Sequence, residues 1–124
     1  MDVDNDGDQD AIFAVNDQPF RMVRNDSDAA NVRVIVNGVP GNDSGIGTRL
    51  ILIGEEGQDG PFRQAFEISA GGSYLAQSSA QLSIAVSTLE KTRSIEVHWP
   101  DGTESKLEVP ALESGVLLLN YTAN

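Results

Sequence analysis

The chain has 124 residues, no cysteine and a formal net charge of −11, from 19 acidic and 8 basic residues. This length suits a single domain around one hydrophobic core. The acidic balance argues against binding to nucleic acid or to anionic membranes, because both need basic surface patches. No apolar run reaches the ~18 residues of a membrane span, so we expect no membrane insertion. The lack of cysteine excludes a disulfide-stapled module.

Aspartate occupies every second position of the first ten residues, as Asp2, Asp4, Asp6, Asp8 and Asp10. Carboxylates packed this densely repel one another, and Ca²⁺, which takes six to eight oxygen ligands, would remove that repulsion. Gly7 falls where a tight loop needs a residue that tolerates positive φ. We expect side-chain ligands from Asp2, Asp4 and Asp6. Asp8 would contribute its backbone carbonyl and Asp10 a final carboxylate. A disordered, solvated acidic tail is the alternative.

This acidic loop (residues 2–10) does not have the pattern of an EF-hand, which needs a bidentate Glu at loop position twelve, where this chain has Phe13. The apolar run AIFAVN follows the loop and predicts a strand. Asp-x-Asp-x-Asp-Gly-x-x-Asp leading into a strand resembles the calcium loop of FG-GAP or VCBS repeats, the blades of integrin-type β-propellers. The resemblance implies that residues 1–28 are a fragment of such a repeat, with 19–25 as its next strand. We therefore expect the chain to be part of a longer protein.

The sequence of the remaining residues, 29–124, predicts β structure throughout. Apolar residues alternate with polar ones over short runs that Gly, Asn, Asp and Pro separate. We predict an all-β fold with little or no helix, an antiparallel β-sandwich or, alternatively, a small β-barrel. The continuous apolar run 50–53 predicts a strand that is buried on both faces or central, and about two turns within 75–82 are the best helical candidate. The predicted strands cover residues 32–36, 50–53, 66–68, 82–87, 94–99, 107–109 and 116–119.

One hairpin is specified by local chemistry. Strand 93–99 runs into Trp-Pro-Asp-Gly, and strand 103–109 follows. Pro presets φ for a turn, Asp bonds to its own backbone, and Gly accepts the left-handed conformation. Trp99 shares the phase of the apolar residues and is predicted to lie in the core, with a sugar-stacking platform as the alternative. His98 has the opposite phase and is predicted to face solvent, without a catalytic role.

The segment 71–79 is polar and glycine-led and joins two predicted strands. Loops carried on a rigid β scaffold often bind ligands. Our candidate ligand-binding residues are therefore Tyr74, Gln77, Ser78 and Ser79. An ordered crossover between two sheets, with Tyr74 and Leu75 packed inward, remains an open alternative.

Four stretches together resemble the ASPIC/UnbV domain: GIGTRLILI (45–53), RQAFEISAGGSYLAQSS (63–79), LSIAV (82–86) and IEVHWPDGT (95–103). In proteins of that family, the domain typically follows FG-GAP/VCBS repeats, which agrees with the acidic loop. It is extracellular or periplasmic and is usually assigned to calcium binding and adhesion-like interaction, with no catalytic residue to transfer. This chain departs from the family pattern at Val86 and Ser87, where the family usually has a Gly-Leu-Gly-like strand end.

We therefore expect a non-enzymatic, secreted binding or interaction module with a structural Ca²⁺ loop and a protein or polysaccharide ligand. One alternative is a carbohydrate-binding accessory domain of a polysaccharide-active enzyme. An active site in this chain would need two carboxylates about 5–10 Å apart across a cleft, and the sequence indicates no such pair. The other alternative is a structural cap of a β-propeller, with an exposed edge strand that pairs protomers into a homo-oligomer.

Overall fold

The computed structural model describes residues 2–4, 6, 8–27, 29–57, 60–72, 80–109 and 115–122, with only the backbone of residues 56 and 57. Within these residues, nine strands and one short helix follow in chain order: β1 Ala11–Phe13, β2 Arg21–Val23, β3 Asn31–Asn37, β4 Arg49–Gly57, β5 Gly60–Glu67, β6 Gln81–Ala85, α1 Val86–Leu89, β7 Thr92–His98, β8 Glu104–Glu108 and β9 Gly115–Asn120. The predicted all-β class is confirmed. Among the described residues, no helix has the length and hydrophobicity to cross a membrane.

Strands β3 to β9 form two sheets, of order β6-β3-β9 and β5-β4-β7-β8. Their inward side chains meet in one core, to which β3 contributes Val32, Val34 and Val36 and β4 contributes Leu50 and Leu52. The alternation seen in the sequence is the alternation of burial in the strands. The described sheets form a sandwich and do not close into a barrel. We call strands β3 to β9 and α1 the body.

Strand β4 lies between β5 and β7 in the four-stranded sheet and is a central strand. Leu50, Ile51 and Leu52 are all buried, so this strand is covered on both faces, as predicted. One pairing departs from an antiparallel arrangement: β3 runs parallel to β9, with Val34 opposite Leu117. The three-stranded sheet is therefore mixed, because β6 pairs antiparallel on the other side of β3.

The predicted Trp-Pro-Asp-Gly hairpin joins β7 to β8. The carbonyl of Trp99 accepts the Gly102 amide at 3.0 Å, and Gly102 has a φ of +87°. Trp99 is 4% exposed and belongs to the core cluster, which confirms the core prediction. Its indole Nε1 donates to Ser105 Oγ at 2.8 Å, so the buried ring keeps a polar partner. The side chain of His98 lies on the opposite face and is 38% exposed. Its Nδ1 lies 3.0 Å from Glu104 Oε1.

The predicted strand 82–87 was too long. Strand β6 ends at Ala85, and Val86 to Leu89 form the single turn α1. Leu89 is buried at 3% exposure, so the turn contributes an apolar side chain to the core. The turn thus replaces the glycine-rich strand end expected from the family pattern. The proposed helix over 75–82 falls largely on residues 73–79, outside the described residues, and Gln81 and Leu82 are in β6.

Strands β1 and β2 form a separate two-stranded antiparallel ribbon, in which Ile12 faces Met22. Both strands fall where the sequence predicted them. Large apolar side chains of the ribbon are exposed to solvent, namely Ile12, Phe13, Met22 and Val23, and so is Phe20 just before β2. A lone ribbon of two strands is marginally stable in water. The ribbon therefore needs contacts beyond its own two strands to be stable.

Candidate metal centre

The Asp10 carboxylate accepts two backbone amides, one within the acidic loop and one beyond the ribbon. Its Oδ2 accepts the backbone amide of Val3 at 2.7 Å, and its Oδ1 accepts the amide of Asn25 at 2.9 Å. These two donors, the Val3 amide first, lower the pKa of the Asp10 carboxyl. The buried carboxylate thereby ties the start of the loop to the chain that leaves β2.

Asp6 has a different function inside the loop. Its Oδ1 accepts the backbone amide of Asp8 at 3.1 Å, two residues further on. This is an Asx turn, in which a short side chain replaces a backbone partner and tightens the chain. Among the predicted ligands, Asp6 is therefore engaged in shaping the loop.

Three carboxylates converge on one point. Asp2, Asp4 and Asp10 each offer an oxygen, and these atoms lie within 4.8 Å of one another. Their exposure differs: Asp10 is buried, Asp2 is intermediate and Asp4 is exposed. Asp6 and Asp8 are not members of this group, which was identified among the described residues. The structure thus brings together three of the five predicted ligands.

Asp8 is buried in the loop. It is 5% exposed, and neither of its carboxylate oxygens has a hydrogen-bond partner. Burial raises the pKa of Asp8, and the nearby charges of Asp6 and Asp10 act in the same direction. The Ser27 amide opposes this rise, although it does not meet the carboxylate with hydrogen-bond geometry. A buried carboxylate without a partner indicates that a cation or a proton belongs nearby.

Asp2 presents a second such oxygen. Its Oδ1 is buried and has no hydrogen-bond partner, while its Oδ2 is 2.5 Å from Arg33 Nη2. Arg24 is the other cation paired with the loop, with its Nη1 3.5 Å from Asp4 Oδ2 and its Nε 2.5 Å from Asp26. The hydrogen bond to Asp26 is the main reason that the pKa of Arg24 is raised.

The acidic loop rests on the outer face of the three-stranded sheet. Arg33 of β3 lies opposite Ser83 of β6, and both alternate with core residues, so they point away from the core. A cavity of about 20 Å³ separates loop and sheet, large enough for one water molecule or small ion. Its lining residues are Asp2, Asp8, Gln9, Arg33, Gln81, Leu82 and Ser83.

The donor set of this centre consists of carboxylate oxygens, which suits a hard cation such as Ca²⁺ better than softer transition metals. The unpartnered oxygens of Asp2 and Asp8 fit the same interpretation. Sequence reasoning located the loop but missed Arg33. An arginine at an outward position of a strand is common and gives no signal in the sequence. Its contact with the candidate metal centre arises only because the loop docks onto that face.

The second candidate site cannot be placed. Tyr74, Gln77, Ser78 and Ser79 lie outside the described residues. Their suggested role in ligand binding therefore stays a prediction from sequence.

The sequence model of the family described as ASPIC and UnbV matches residues 38–123. The chain belongs to the ASPIC and UnbV family. The match covers β4 to β9, and the acidic loop, the ribbon and β3 lie before it. Strand β3 is nevertheless the centre of the three-stranded sheet and pairs with β6 and β9, both inside the ASPIC and UnbV match. Comparisons with curated proteins and with solved structures give no match.

Proposed function

We propose that this ASPIC and UnbV chain is a non-catalytic binding or interaction module of a larger secreted protein, with a structural Ca²⁺ site in its acidic loop. The loop would be the end of an FG-GAP/VCBS-type repeat. The ligand would be a protein or a polysaccharide.

The observation that carries the Ca²⁺ assignment is the convergence of Asp2, Asp4 and Asp10 beside a buried, unpartnered Asp8. Burying a carboxylate without compensation is costly, and a dication compensates several at once. The loop leads directly into the exposed ribbon and contacts the body through Asp2 and Arg33, so a cation here would act structurally. It would hold the loop closed and fix the ribbon in one orientation.

Calorimetric titration with CaCl₂ tests the site directly. The wild-type chain should bind one Ca²⁺ with a Kd of ~10⁻⁴–10⁻³ M, the range of extracellular modules. Asp4→Asn should weaken binding strongly, because it removes a negative charge and one of the two oxygens of a converging carboxylate. MgCl₂ should bind more weakly, since Mg²⁺ demands near-octahedral geometry and gives up its water reluctantly.

Asp43→Asn is the matched control, because Asp43 is an exposed aspartate in a turn of the body. It should bind Ca²⁺ like the wild type. Absence of Ca²⁺ binding by the wild type, or equal binding by Asp4→Asn and Asp43→Asn, would overturn the assignment.

A further inference from the structure

Asp2 is a member of the converging group that the structure pairs with Arg33, a cation of the body. Its Oδ2 is bound by Arg33 at 2.5 Å, and its Oδ1 is buried and has no hydrogen-bond partner. One oxygen is thus held by the body, and the other is left for a ligand. The side chain of Asp2 is only 14% exposed, so solvent does not substitute freely for either partner.

Arg33 is itself well fixed. It lies on β3, the middle strand of the three-stranded sheet, between Ser83 of β6 and Val116 of β9. Its neighbours Val32 and Val34 are at most 1% exposed in the core. The backbone of Arg33 is therefore held by the core and by both neighbouring strands, and its guanidinium contacts the acidic loop at Asp2.

We propose that Arg33 is a positioning residue of the metal site. It fixes Asp2 through Oδ2 so that Oδ1 faces the cation. Cation binding and seating of the acidic loop on the body are thereby coupled, and each favours the other. This inference rests on the proposed Ca²⁺ site and adds that the body completes that site.

The sign of the effect distinguishes positioning from simple charge. A guanidinium near a dication repels it, so if Arg33 acted only through its charge, removing it would tighten Ca²⁺ binding. A residue that orients a ligand has the opposite effect, and loss of such outer contacts typically weakens metal affinity by about 10–100-fold. We expect the second effect to win, because Asp2 already neutralises the charge of Arg33 at close range.

Calorimetric Ca²⁺ titrations should compare wild type, Arg33→Met, Arg33→Lys and the control Arg63→Met. Arg63 is exposed on β5, in the opposite sheet. Arg33→Met should raise the Kd about tenfold or more, Arg33→Lys should recover part of the affinity, and Arg63→Met should match wild type. Thermal melts in EDTA check that every variant folds.

A distance measurement tests the coupling independently. The chain lacks cysteine, so spin labels attach only to cysteines that are introduced. We choose Gln18→Cys, beside the ribbon, and Glu108→Cys, on the body. Ca²⁺ should narrow the distribution of distances between the two labels, and Arg33→Met should abolish this narrowing. Equal or tighter Ca²⁺ binding by Arg33→Met overturns the inference while leaving the Ca²⁺ site intact. A wild type that binds no Ca²⁺ overturns both.

Discussion

Asp101 shows how one turn residue can connect distant parts of the fold. Its Oδ1 accepts the backbone amide of Thr103 at 2.9 Å and the Thr103 hydroxyl at 2.7 Å. Its Oδ2 accepts the Tyr121 hydroxyl at 2.8 Å. The Tyr121 ring packs edge-on against Trp99, with centroids 5.3 Å apart. The β7–β8 turn is thereby fastened to the residue that follows β9.

These donors lower the pKa of Asp101 from its ordinary value of 3.8, the Thr103 amide most strongly. A carboxyl with a depressed folded-state pKa stabilises the protein above the unfolded pKa, and this stability is lost as pH falls through the folded value. Asp101→Asn should therefore lower the Tm by a few degrees at neutral pH, and the gap to wild type should close below pH 3.8. Circular-dichroism melts across pH measure it.

Asp43→Asn serves as the control for this experiment too, because it removes one exposed carboxylate without breaking a described side-chain hydrogen bond. Its melting profile should follow that of the wild type. A gap between Asp101→Asn and wild type that stays constant with pH would show that the ionised form of Asp101 contributes nothing.

At the scale of elements, Gly45 brings the turn between β3 and β4 against the core. Gly45 has a φ of +66°, and a Cβ placed there would lie 2.5 Å from Val36 Cγ1 in the core. Its amide donates to the Asn42 carbonyl at 2.9 Å, and its carbonyl accepts the Thr48 amide at 2.9 Å. The sequence Gly-Ile-Gly-Thr thus brings backbone directly against a buried valine.

Gly45→Ala should destabilise the protein through both strain and overlap. Gly41 is the matched control, because its φ is +86° and a Cβ there would have no atom within 4 Å. Gly41→Ala should cost about 1–2 kcal/mol from backbone conformation alone. Gly45→Ala should cost about 1–3 kcal/mol more. Urea unfolding gives both free energies, and equal values would refute the close approach at Val36.

The elements that the sequence predicted well are those that local chemistry determines. The four residues Trp99-Pro100-Asp101-Gly102 are enough to predict their turn. Strict alternation of apolar and polar residues predicted β3 and β7. The features that were missed depend on distant partners. The parallel pairing of β3 with β9 joins residues far apart in sequence. The turn α1 is stabilised by burial of Leu89, which no local periodicity reveals.

The candidate metal site was predictable to a similar degree. Aspartate spacing located the loop, but it did not separate the converging oxygens of Asp2, Asp4 and Asp10 from the turn-forming Asp6. That division depends on how the loop folds back, through the Val3 and Asn25 amides, onto Asp10. The involvement of Arg33 could not be predicted from sequence. Its contact with Asp2 joins residues that are 31 positions apart and depends on docking of the acidic loop to the sheet.

At the scale of the whole molecule, the chain consists of a well-buried sandwich and an N-terminal ribbon that exposes apolar side chains. The ribbon strands pair with each other and join neither sheet of the body. The acidic loop lies between the two parts and contacts the body through Asp2 and Arg33. We propose that a hard cation in this loop makes the two parts one stable unit.

A thermal melt in EDTA and in Ca²⁺, with Mg²⁺ as the control, tests that claim most directly. A ligand that binds only the folded state adds RT ln(1 + [L]/Kd), which is about 2 kcal/mol at ~5 mM Ca²⁺ and a Kd of ~10⁻⁴ M. We predict a Tm several degrees higher in Ca²⁺ than in EDTA or Mg²⁺. Identical melting curves in EDTA and Ca²⁺ would contradict the account.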